Sequence, residues 1–138
     1  MTRAAPRKRV DAGFSTGRLR NARDFRKAAE EALVLAEDGQ NAAPIVSNIV
    51  NAAIAYGDAI TARLGGVVNA QDHQAAPHLL RELLKADLPR DQETRFRRIL
   101  GEKDASQYGA RQMPLAQARK RMQDLEKFAD WAEDQLAP

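Results

Sequence analysis

Two histidines, His73 and His78, stand on either side of Pro77 in the stretch DHQAAPHLLRELLKADLP, residues 72–89. A helical pair of metal ligands needs a spacing of three or four residues so that both rings share a face, and these two are five apart. The neighbouring Asp72 and Glu82 complete no ligand signature, so a capping and hydrogen-bonding role is expected and no metal. Cysteine is absent, which removes thiol nucleophiles, thiolate metal sites and disulfides. No glycine-rich phosphate loop follows a strand, and no G-x-S-x-G elbow occurs. The sequence therefore assigns no catalytic residue and no cofactor.

Polar residues inside otherwise apolar stretches form a second group. Tyr56, Asp58 and Arg63 lie on one alanine-rich segment and Lys103, Asp104 and Tyr108 on another, with Asp72 and His73 between them in sequence. Buried polar groups must be paired, so the two sets are expected to satisfy each other across a helical core. A small ligand-binding notch is the alternative.

Cations make a third group. Arg3, Arg7, Lys8 and Arg9 precede the first acid, Asp11, in a segment with little to bury, and residues 1–14 are expected to be a disordered basic arm. Such an arm tethers phosphates, or is an ordinary solvated terminus. Arg95 and Arg98 offer a second candidate phosphate surface. Arg18, Arg20 and Arg23 sit near the positive end of a helix dipole, where an anionic partner would offset the repulsion. The net charge of +3 permits nucleic-acid contact without requiring it.

The elements that must position these groups are helical. The chain has 138 residues, enough for one core, and its apolar share is rich in alanine with only 5% aromatic residues, which suits close-packed helices. Residues 15–138 are expected to form one all-α domain, an up-and-down bundle of four long helices plus one short helix. The first starts at Ser15 or Thr16, with Leu19, Ala22, Phe25, Ala29, Leu33 and Ala36 as its stripe up to Asp38-Gly39. The second runs from about Ala42 to Leu64, apolar nearly all round. Its interruptions Asn48, Asn51, Asp58 and Arg63 argue for the middle of a bundle against a membrane span. Gly57 in its centre costs helix propensity and is expected to face a close neighbour. A short helix covers 77–86 with Leu79, Leu80, Leu83 and Leu84 inward, and a fourth runs from Asp91 to Tyr108 with Phe96, Ile99 and Leu100 in the core. In the last helix Leu115, Ala118, Met122, Leu125, Ala129, Ala132 and Leu136 form a seam, expected to close within the bundle. Phe128 and Trp131 lie off that seam as a candidate exposed patch. The basic start lacks the apolar region of a secretory signal, and a cytoplasmic location without a membrane is expected.

The succession NAAIAYGDAITARLGG, DHQAAPHLLRELL, ILGEKDASQYGAR and AQARKRMQDLEKFADWAEDQL resembles the HEPN superfamily over about residues 15–136. It is particularly similar to small stand-alone bacterial members with an alanine-rich helix, an Asp-His start to the next element and a Lys-to-Tyr-Gly turn before the last helix. The resemblance implies a helical bundle, often a homodimer, of the kind found in toxin-antitoxin pairs, phage defence and RNA processing. Many active HEPN proteins are metal-independent ribonucleases using a closely spaced arginine and histidine, and neither His73 nor His78 has that arginine. The expectation is thus a non-catalytic HEPN-like protein that binds nucleic acid, through its basic arm, or a partner protein. A degenerate ribonuclease and an adaptor without nucleic-acid contact are the alternatives.

Metal-free RNA cleavage needs a proton acceptor, a proton donor and a cation in one geometry. RNA incubated with the protein in chelator is expected to stay intact. Cleavage abolished by His73→Ala or His78→Ala would assign the ribonuclease activity instead.

Overall fold

A computed structural model of the chain describes residues 4–138. It is a mostly helical bundle with one small antiparallel sheet. Strand β1 (Arg7–Arg9) precedes helices α1 (Phe14–Leu35) and α2 (Ala43–Gly65), and strand β2 (Val67–Asn69) follows. A 3-10 turn (His73–Ala75) leads into α3 (Ala76–Leu84), and another (Lys85–Asp87) precedes α4 (Arg90–Leu100), α5 (Lys103–Gln107) and α6 (Leu115–Leu136). The long helices are therefore three, α1, α2 and α6, rather than four. Arg3 lies outside the described residues.

Helix α2 is the axis. Fourteen of its residues, from Ile45 to Ala62, are buried, spread over the whole circumference. It is long and apolar enough to cross a membrane, yet most of it is covered by the rest of the bundle. Pro44 occupies its first turn, where a missing N–H costs nothing. Asn41 Oδ1 accepts from Ala43 N at 3.1 Å and from Met113 N at 3.0 Å, so one side chain caps α2 and fastens the segment before α6. At the far end Gly66 adopts a left-handed conformation, φ 64°, and its N–H closes the last turn on Ala62 O.

The remaining helices wrap this axis. The seam of α6 is buried along its length and closes within the chain, on α2 and α4. Phe128 is also fully buried, its ring stacked on Phe96 at 4.6 Å, and Trp131 packs beside it at 5.7 Å, half-buried. The exposed aromatic patch expected there is core. Helix α1 begins at Phe14 behind Gly13 with no side-chain cap. Ser15 instead donates its hydroxyl to Ala59 O at 2.7 Å, tying α1 to α2.

Two further expectations are corrected. The helix expected over 91–108 is interrupted after Leu100: Gly101 is a poor helix former, and Gln74 Nε2 donates to the Leu100 carbonyl at 2.7 Å, occupying an acceptor of the terminal turn. The arm expected to be disordered is a strand from Arg7, paired Arg7 with Asn69, Lys8 with Val68 and Arg9 with Val67. Ala5 is buried. Backbone hydrogen bonds and the apolar Val68 supply what the arm's own side chains lack.

A Cβ built on Gly57 would stand 2.7 Å from Phe96 Cζ. That ring is buried and held by Phe128, so it has no direction in which to yield. Gly57→Leu is expected to destabilise by about 1–3 kcal/mol through overpacking, despite better helix propensity, measured as the chemical-denaturation midpoint. An unchanged or raised midpoint would mean that this contact is not tight.

Candidate nucleic-acid interface

The polar residues of α2 are satisfied, but by other partners than the sequence suggests. Tyr56 is wholly buried and donates its hydroxyl to Glu133 Oε2 on α6 at 3.0 Å. Arg23 grips the same carboxylate through two nitrogens, at 2.9 and 2.6 Å. Arg26 bridges Glu30 and Asp130, each at 3.1 Å. Burial pushes the Tyr56 phenol up to about 12, opposed by Arg26 and assisted by the charge on Glu133. The hydrogen bond from Arg23 holds Glu133 below the usual carboxylate range. Arg63 donates to the carbonyl of Leu136, at the end of α6. Lys103 and Tyr108 meet each other, the ammonium 5.0 Å from the ring centroid, and Asp104 is exposed. The two polar sets do not pair across the bundle, because α5 is a short surface helix and Tyr108 beyond it is 75% exposed.

What does converge is a cationic ring around Asp58. Its Oδ2 lies 3.3 Å from Arg18 Nη2, with His73 and Lys8 close enough to stabilise its charge. Desolvation nevertheless dominates and raises the Asp58 pKa, with Arg18 as the leading opposing influence. Arg18 Nε is buried without a hydrogen-bond partner among the described residues. The turn that carries His73 is set by Asp72, which caps Gln74 N at 3.2 Å, and by Asn69, whose amide donates to the Gln71 and Asp72 carbonyls at 3.0 Å each.

Strand β1 brings Lys8 into this ring. Cross-strand partners share a sheet face, so Lys8 stands on the side of the buried Val68, while Arg7 and Arg9 stand on the other. Glu82 on α3 fixes the strand: it accepts from Ala5 N at 2.8 Å, pairs with Arg7, and meets His78 Nε2 at 3.0 Å. The Ala5 N–H and the Arg7 guanidinium hold the Glu82 carboxyl below its ordinary range. Arg7 is thus structural. Lys8 and Arg9 are exposed, and neither has an ion-pair partner among the described residues.

On the alternative surface each arginine meets a carboxylate, and two of the carboxylates are shared. Arg95 pairs with Asp91 at 3.1 Å, Arg97 with Glu93 at 3.6 Å and Arg98 with Asp124 at 2.9 Å, and Arg121 lies 3.4 Å from the same Asp124. Among the described residues no group of three or more His, Asp or Glu is placed to hold a metal. Arg18 and Glu82 were legible only weakly: an arginine at an unfavourable dipole end signals an acidic partner somewhere, without naming Asp58. No protein-family model matches the chain, and no curated protein matches it.

The Tyr56 pKa is raised on folding, so its contribution to stability is complete below the unfolded value of 10.0 and is lost as pH rises towards about 12. Wild-type stability is expected to fall across that window, beyond any fall shown by Tyr56→Phe, in denaturation series at matched ionic strength.

Proposed function

We propose that the chain is a non-catalytic, HEPN-like binding protein that takes a nucleic acid on the face formed by β1, the start of α1 and the His73 turn. The observation that carries this reading is the contrast between the two basic surfaces. Arg95, Arg97 and Arg98 are each engaged by a carboxylate. Lys8, held on an ordered strand, joins Arg18 and His73 around the desolvated Asp58, and Arg9 stands exposed on the other face of the same strand. Cations fixed in this way are paired with phosphate at little ordering cost, and each phosphate neutralised releases counterions. The motif resemblance supports the same class, with a homodimer in a toxin-antitoxin or defence setting and a cytoplasmic location.

A protein partner, the second reading, draws on a different feature. Val34 and Leu35, at the end of α1, are 84% and 79% exposed in adjacent positions. An apolar pair left in water beside Glu30 and Glu31 suits another protein surface, including a second copy of the chain.

Binding of a labelled oligonucleotide, followed by anisotropy across a salt series, separates the readings. Wild type is expected to bind with affinity falling steeply as salt rises. Lys8→Gln/Arg9→Gln should flatten the log–log slope by about 1.5–2, while Arg95→Gln/Arg98→Gln should leave it unchanged. No binding at low salt would favour the protein-partner reading.

A further inference from the structure

The cationic ring around Asp58 stands at one end of a face of the bundle. Asn51 and Asp58 are seven residues apart on α2, so they share a face and stand about 10 Å apart along the axis. At the Asp58 end are Arg18, His73 and Lys8. At the Asn51 end Gln107 Nε2 donates to Asn51 Oδ1 at 3.2 Å, placing α5 over the same face. Between them, Gln74 is stitched to the Leu100 carbonyl at 2.7 Å, so the His73 turn abuts the junction from which Lys103 opens α5. This face of α2 therefore has Lys8, Arg18 and His73 at its Asp58 end and α5, with Lys103 and Tyr108, at its Asn51 end.

Tyr108 differs from the bundle's other aromatic residues. Its ring is 75% exposed, follows α5 directly, and carries Lys103 Nζ at 5.0 Å. A lone exposed tyrosine is unremarkable on any surface. At the other end of this face, however, it supplies what the cationic end lacks, an apolar plane. A cation–π contact of this kind orients both groups, and with the ammonium over the ring most of the remaining surface faces water. Asp104, exposed at the start of α5, disfavours phosphate immediately beside it, and Asp72, whose carboxylate caps the His73 turn, does so there. Phosphates are thus directed to Lys8 and Arg18, and a base to Tyr108.

Resting on the nucleic-acid reading above, we infer that this face selects single strands, the basic end holding the backbone and Tyr108 stacking an unpaired base. Stacking on an aromatic side chain accepts any base because every base has a π-face. A duplex keeps its bases stacked inside and offers Tyr108 nothing.

The test uses the full chain with labelled oligouridylate, oligothymidylate and a blunt duplex of equal length at fixed salt. Tyr108→Ala is expected to weaken binding to both single strands about tenfold, to leave the salt slope unchanged, and to leave duplex binding unaltered; Tyr108→Trp should restore single-strand affinity. A loss confined to oligouridylate would narrow the ligand to RNA and still support stacking. Unchanged single-strand affinity in Tyr108→Ala, with Lys8→Gln/Arg9→Gln still weakening it, would overturn stacking and leave the phosphate reading standing. An absence of wild-type binding to all three probes would overturn both. Tyr108 is exposed, so a circular dichroism spectrum matching wild type is the expected folding control.

Discussion

The polar groups between Ile49 and Ala62 of α2 have to be answered by neighbours, because this stretch is covered over most of its circumference. That constraint places the other elements. Tyr56 requires an acceptor and draws Glu133 of α6 inward, which in turn engages Arg23 of α1. Asp58 requires a cation and fixes Arg18. Asn51 takes the amide of Gln107, and the Ala59 carbonyl takes the hydroxyl of Ser15. An unpaired buried group would cost about 1–3 kcal/mol, so each contact discriminates against alternative packings of otherwise similar alanine-rich helices.

Magnitudes divide the labour between core and surface. Ion pairs such as Lys27 with Glu31 at 3.9 Å are exposed on both sides, and pairs of that kind contribute about 0.2–1 kcal/mol each. Fully burying a single phenylalanine or isoleucine contributes about 1.5–3 kcal/mol. Phe96, Phe128, Ile49, Ile60 and Ile99 are all buried, so the apolar contacts between α2, α4 and α6 dominate stability. The surface pairs act chiefly on charge distribution: they engage Arg95, Arg97 and Arg98 of α4 with carboxylates and leave Lys8 and Arg9 of β1 exposed.

The helical class, the central position of α2 and the buried seam of α6 were legible because each follows from periodicity along one segment. Gly57 was legible for the same reason, since a glycine retained in a helix interior implies a close contact. Partner choice was not. Tyr56 and Lys103 look equivalent as polar residues among alanines, and only the three-dimensional path separates a hydroxyl facing α6 from an ammonium on a surface turn. The order of residues 7–9 was hidden for a related reason. RKR reads as solvated because its stabilising contacts, Val68 opposite Lys8 and Glu82 beside Arg7, lie about 60 to 75 residues away in the chain.

That separation bears on the order in which the molecule assembles. The closing entropy of a loop of this length must be met before β1 gains anything. During synthesis the strand leaves the ribosome ahead of its partners and finds neither β2 nor Glu82 until α1, α2 and α3 have followed. The α1–α2 hairpin, built from local contacts, can form ahead of it. Residues 7–9 are thus made before the α1–α2 hairpin and dock after it, bringing Lys8 to the Arg18–Asp58 pair already in place.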